Sequence, residues 1–210
     1  MNKDKINDLL YGLPSDLSED ADDLYLEDLS LDDIPVSKLE GLKKLLYHNE
    51  LYISYRASCL LTNWNIEEGF VRLISLFSEN KLIGLELHRI YGYDETYKKV
   101  LQFLISYWTK NSYIGNGEKA RKKIYPYVCK IIEASNYSYF DISELFWLII
   151  HKKFTEYVPY LLEHLTIILD DPKNNYWRIH DVLKVLRKVE PEKTNNILKS
   201  KNKKYSDFDL

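Results

Sequence analysis

Apolar residues recur along this chain with a period of three to four, and that rhythm constrains its folding more than any other feature. Within residues 37–48, Leu39, Leu42, Leu45 and Leu46 fall on one stripe of a helix. Phe70, Leu73, Ile74 and Phe77 form the same stripe in 66–79. Only 7 glycines and 6 prolines punctuate the 210 residues, and they cluster between the periodic stretches. Helices are expected near 3–12, 18–30, 37–48, 50–64, 66–79, 95–112, 118–135, 141–151, 154–170, 176–189 and 191–199. Most connections are two to six residues, the length that joins neighbouring packed helices. No hairpin signal competes with this reading. The alternation of Leu24 with Leu26 and of Leu29 with Leu31 sits among acids that disfavour strands. The chain is expected to be all-α.

Helix starts are marked by polar residues. Ser37-Lys38-Leu39-Glu40 has the form of a capping box, with Glu40 placed to return a bond to the Ser37 amide. Asn65-Ile66-Glu67-Glu68 and Asp141-Ile142-Ser143-Glu144 give similar starts, and Asp94 and Asn175 are further N-cap candidates. Ile124-Tyr125-Pro126-Tyr127-Val128 superimposes on Tyr157-Val158-Pro159-Tyr160-Leu161 with an offset of 33, and Ile132 then falls on Leu165. Prolines one turn into two helices suggest that a helix pair is the repeating unit.

Residues 50–77 resemble a HEAT-type repeat. Arg56-Ala57 is followed by Leu60-Leu61 in one helix, and Leu73 and Leu76 match the leucine spacing of a second. Residues 141–170 and 176–199 resemble degenerate members of the same unit. The resemblance implies antiparallel helix pairs stacked as a short HEAT-like α-solenoid of about 9–11 helices. The organisation expected is an acidic helical N-terminal cap over 1–36, HEAT-like helical repeats over 37–199 and a flexible C-terminal tail over 200–210, in one structural domain. Irregular repeat lengths and the acidic head depart from the family pattern.

Constellations for catalysis do not assemble in the sequence. His48, His88, His151, His164 and His180 form no metal-binding spacing, and Cys59 and Cys129 form no Cys-x-x-Cys. Both cysteines sit in apolar helical settings and read as reduced core thiols of a cytoplasmic protein. Gly115-Asn116-Gly117-Glu118-Lys119 lacks the spacing of a phosphate loop and reads as a turn opening a helix. Glu67-Glu68 and Asp170-Asp171 lie at helix ends, where acids in a first turn complement the helix dipole. No catalytic residue, metal ligand or cofactor is assigned. Leu145 to Ile150, the longest apolar run, is far below the roughly 18 residues of a membrane span, and no signal peptide is expected at the N-terminus.

Charge is distributed unevenly. Net charge is −3, yet residues 1–40 hold twelve acids against three lysines, a balance of −9, while 41–210 carry +6. Asp16, Glu19, Asp20, Asp22, Asp23, Glu27, Asp28, Asp32 and Asp33 are interleaved with Leu17, Leu24, Leu26, Leu29, Leu31 and Ile34. Such a segment docks its leucines and displays its acids, as a solvated cap or as a surface that meets a partner. Together with Glu67 and Glu68, these nine acids are the candidate partner-binding residues. The 18 tyrosines are a second excess, with Tyr91, Tyr93, Tyr97, Tyr107 and Tyr113 beside Trp108 concentrated mid-chain. A third feature is the basic run Lys119, Arg121, Lys122 and Lys123, followed by Lys130.

Size, acidic head and the repeat-like motif resemble the HEAT-like immunity proteins of bacterial contact-dependent or polymorphic toxin systems. The resemblance implies a non-enzymatic protein that neutralises a cognate toxin domain, a nuclease with a basic cleft, by stoichiometric occlusion. A nucleic-acid-binding HEAT-like protein using the basic run, or a general scaffold or adaptor, are the alternatives. No membrane partner is expected, and a pI near 6.0 weighs against nucleic acid.

Overall fold

The structure, a computed structural model, describes residues 1–15 and 24–210. Those residues are all-helical: α1 (Lys3–Tyr11), α2 (Val36–Leu45), α3 (Leu51–Asn63), α4 (Glu67–Ser78), α5 (Thr96–Tyr113), α6 (Gly117–Ser135), α7 (Glu144–His151), α8 (Val158–Ile168), α9 (Tyr176–Val189) and α10 (Pro191–Ser200). Short 3-10 turns lie at Leu26–Asp28, Leu31–Asp33, Thr155–Tyr157 and Tyr205–Phe208. Leu87 and Asp94 make a single antiparallel bridge, and no strand forms among the described residues. Among these, no helix is long and apolar enough to cross a membrane.

Contacts divide the chain into two compact units. One holds Met1–Leu85 and Phe103–Ile124, the other Glu86–Gln102 and Tyr125–Leu210. In the first unit, α3 and α4 pack at close range. Cys59, Leu60, Leu61, Leu73 and Leu76 are fully buried, and Ala57 presents only a methyl group to its neighbours. A Cβ at Gly69 would lie 2.3 Å from the Cβ of Leu61, so only glycine lets these backbones approach. In the second unit α9 is the central element, with Ile179, Val182, Leu183, Val185 and Leu186 buried and α7, α8 and α10 packed against it.

Helix ends follow a different logic from the one expected. At α2 the Ser37–Glu40 capping box does not form. The amides of Lys38 and Leu39 bond instead to the Pro35 carbonyl at 2.9 and 3.2 Å. The helix therefore begins one residue earlier and leaves Ser37 inside it. Asn65 is not an N-cap either. It takes a left-handed φ of 61° while the Ile66 amide reaches back to the Leu61 carbonyl at 2.8 Å, closing α3. Asn80, Gly115 and Asn202 close α4, α5 and α10 in the same way. Asp94 does cap: its carboxylate accepts the Thr96 amide at 2.9 Å. Asp141 accepts both the amide and the hydroxyl of Ser143 at 2.8 Å, and Asn175 occupies an N-cap while its side chain takes Arg178 instead of a backbone amide.

The two prolines are not equivalent. Pro126 sits deep inside the 19-residue α6, whereas Pro159 lies in the first turn of α8, where its missing N–H has no helical partner to lose. Their 33-residue offset therefore does not relate equivalent helix starts.

Both chain ends are also revised. The expected helix over 18–30 falls partly on 16–23, outside the described residues. Its remainder is 3-10 turn and extended chain, pinned by Leu26, Leu29 and Ile34 in a core with Leu10, Leu42 and Trp64. The tail expected to be flexible over 200–210 is docked, with Phe208 buried and its carbonyl 2.7 Å from His180 Nδ1.

Candidate functional site

The acidic candidates divide by environment. Asp16, Glu19, Asp20, Asp22 and Asp23 lie outside the described residues. Glu27 is half-buried and paired at 2.5 Å with Arg56 of the Arg-Ala motif, while its carbonyl accepts from Asn63 Nδ2 at 2.7 Å. Asp28 and Asp33 turn inward on their own loop, accepting the amides of Tyr25 and Ser30 at 3.0 and 3.2 Å. Asp32 projects into solvent. Leu26, Leu29 and Ile34 dock as expected while Leu31 is exposed, and of the four described acids three are held by local bonds and Asp32 is open to solvent.

Glu67 and Glu68 occupy the first turn of α4, as the dipole argument requires. Backbone hydrogen bonding there, together with Lys43 at 3.1 Å, holds the Glu68 carboxyl below its usual range. Glu67 accepts the Tyr107 hydroxyl at 3.0 Å and is ion-paired to Lys123. The Lys123 ammonium also lies 4.5 Å above the Phe70 ring, which stacks on Tyr107. One member of the basic run is thus absorbed into the first unit's own contacts. Lys119 and Lys122 remain exposed, and Arg121 approaches Glu118 at 3.9 Å.

Sequence reasoning did not find the concave site of the second unit. A pocket of about 190 Å³ opens between the loop before α5, the α6–α7 connection and α9. Tyr93, Tyr139 and Trp177 supply aromatic surface, with Asp141, Arg178 and Asp181 as its charged groups. His88 organises the loop. Its Nδ1 accepts the amides of Ile90 and Tyr91 at 3.2 Å, and its ring stacks on those of Tyr91 and Tyr93 at 5.0 and 4.6 Å. Tyr93 meets Tyr139 edge-on at 5.2 Å, and the Arg178 guanidinium lies 5.6 Å over Tyr139. Ring contacts thus run unbroken from Tyr91 to Arg178.

Arg178 is anchored at both ends of its fork, by Asn175 Oδ1 at 2.8 Å and by the Ser135 carbonyl. Burial lowers its pKa, opposed by the nearby Tyr139 and Asp141. Below it, His164 is buried and contacts Asn136 Oδ1 at 2.6 Å and the Ser135 hydroxyl at 3.3 Å. Burial, aided by the Arg178 charge, pushes this imidazole down to about 3, so it is neutral in ordinary buffers. Trp177 is 67% exposed, yet its indole is braced edge-on by Tyr176 and His180 at 5.2 and 5.7 Å.

The only sequence signal for this pocket is the tyrosine concentration near Tyr91 and Tyr93. Trp177, Arg178 and Asp181 fit no motif, because their neighbours come from elements far away in the chain. The described residues hold no group of His, Cys, Asp and Glu that could bind a metal ion. Comparison with protein-family models, curated proteins and solved structures finds no match in any of the three.

Proposed function

We propose that this protein is a helical binding module whose helix pairs stack as a short HEAT-like solenoid, and that it neutralises a basic toxin domain by occluding it. The observation that carries this reading is the anchoring of the acidic head. Leu26, Leu29 and Ile34 are buried against α1, α2 and α3, and Trp64 Nε1 donates to the Leu29 carbonyl at 3.1 Å. A concentrated negative segment tied to a packed body steers a basic partner without the full entropy cost of ordering a loose chain. The close α3–α4 pair, sealed by Gly69 and leucines, supports the helix-pair unit. The protein acts in the cytoplasm and without catalysis, its acids standing in for the phosphates of a nuclease's substrate. The nucleic-acid alternative is the weaker reading, since Lys123 is committed to Glu67 and Tyr107.

The test requires a candidate partner, a basic nuclease-toxin domain from a gene adjoining this chain's own. Mixing the two is expected to yield a one-to-one complex and to abolish toxin activity. Replacing Asp20, Asp22, Asp23, Asp28, Asp32 and Asp33 with Asn is expected to slow association and flatten its salt dependence. Unchanged association kinetics would move the contact away from the head.

A further inference from the structure

The charges and aromatic walls of the second unit's pocket favour a cationic occupant. Asp141 and Asp181 each contribute a negative charge and Arg178 one positive charge, while buried His164 contributes none. The formal balance is −1, which one monocation neutralises. Arg178 cannot swing in to neutralise Asp181, because Asn175 and Ser135 hold both of its terminal nitrogens. Lys98, which feels the Asp141 charge, is already paired with Glu95 at 2.9 Å. Asp181 makes no hydrogen bond or ion pair among the described residues and is only partly exposed. The Asp181 carboxylate is thus left available to pair with an incoming cation.

We propose that this pocket receives an arginine side chain of a protein partner, its guanidinium stacked on Trp177 and Tyr139 and paired with Asp181. A planar, weakly hydrated guanidinium suits aromatic walls better than a compact, strongly hydrated ammonium. The pocket already shows the geometry in its own Arg178 over Tyr139. Bracing by Tyr176 and His180 holds the Trp177 ring in place before the ligand arrives, which lowers the entropy cost of binding. The inference concerns the second unit alone and stands whether or not the acidic head binds anything.

The experiment is an NMR titration of the full chain, following the Trp177 indole N–H, assigned by its disappearance in Trp177→Phe. Nα-acetyl-arginine amide is the probe, and its neutral citrulline isostere and the lysine analogue are the comparators. Saturable shifts with a dissociation constant of about 1–10 mM are expected for a single side chain. Asp181→Asn, which keeps the shape, is expected to weaken arginine binding about fivefold, the worth of one partly screened charge pair. The citrulline probe is expected to leave the signal in place, and the lysine analogue to bind more weakly. Equal shifts with citrulline, no shift with arginine, or an unchanged Asp181→Asn titration would each overturn the proposal. Lysine binding as tightly as arginine would overturn the guanidinium preference.

Discussion

The two ends of this chain look unlike in sequence and dock by the same means. Residues 24–34 are acidic and leucine-rich, and residues 200–210 are lysine-rich with a single phenylalanine. Neither forms an α-helix. Each runs as extended chain and 3-10 turn against helices, held by apolar anchors and by side chains that capture its carbonyls. At the N-terminal side the anchors are Leu26, Leu29 and Ile34, and the captors are Trp64 on Leu29 and Asn63 on Glu27. At the C-terminal side the anchor is Phe208, and His180 meets its carbonyl while the Tyr176 hydroxyl donates to Asp209 at 2.5 Å. Irregular backbone leaves polar groups that no ladder satisfies, so side chains of the scaffold must satisfy them. The difference is in redundancy. The head has three buried apolar anchors, whereas the tail has one, Phe208, seconded by half-buried Tyr205 beneath Arg187 and by Lys201 paired with Asp170.

The largest expected effect is at the head's captor. Trp64→Ala removes a fully buried ring and orphans the Leu29 carbonyl, and should cost about 3–5 kcal/mol in denaturant unfolding. A retained melting temperature would mean that the head is not docked on Trp64. At the tail, Phe208→Ala is expected to cost about 3 kcal/mol, at the low end for a buried phenylalanine. It should also expose residues 204–210 to proteolysis while leaving hydrogen exchange around Trp64 unchanged. Loss of protection around Trp64 would show that the ends are not independent. The smallest effect falls on the head's ion pair. Glu27→Gln keeps the packing but deprives half-buried Arg56 of its charge partner, for about 1 kcal/mol that shrinks with added salt. An effect as large as that of Trp64→Ala would make charge, not apolar burial, the head's anchor.

Much of the scaffold was legible in the residues themselves. Leu60, Leu61, Trp64, Leu73 and Leu76 were readable as core because the stripe they form is a property of a few consecutive turns. The leucines of the head were readable as docked for a related reason: apolar residues among that many acids must leave water together. Ser37 and Asn65 were misread because a small polar residue beside a helix can start it or end it. Which role applies depends on the chain beyond it, here Pro35 before Ser37 and the left-handed turn at Asn65. The pocket of the second unit was almost invisible. Tyr93, Tyr139 and Trp177 are separated by roughly 40 residues at each step, and no local rule relates them.

By itself, the order of apolar and polar residues determined that this chain is helical, where nearly every helix lies and which faces are buried. Those are consequences of contacts three and four residues apart, which the sequence records directly. Only the tertiary structure decided that residues 24–34 and the tail are docked as irregular chain, that Lys123 is consumed by Glu67, and that Asp181 stands unpaired among aromatic rings. Each of those depends on which distant carbonyl, ring or charge a side chain meets, and that is set by packing between helices. The local pattern built the helices, and their packing made the surfaces on which the protein's function rests.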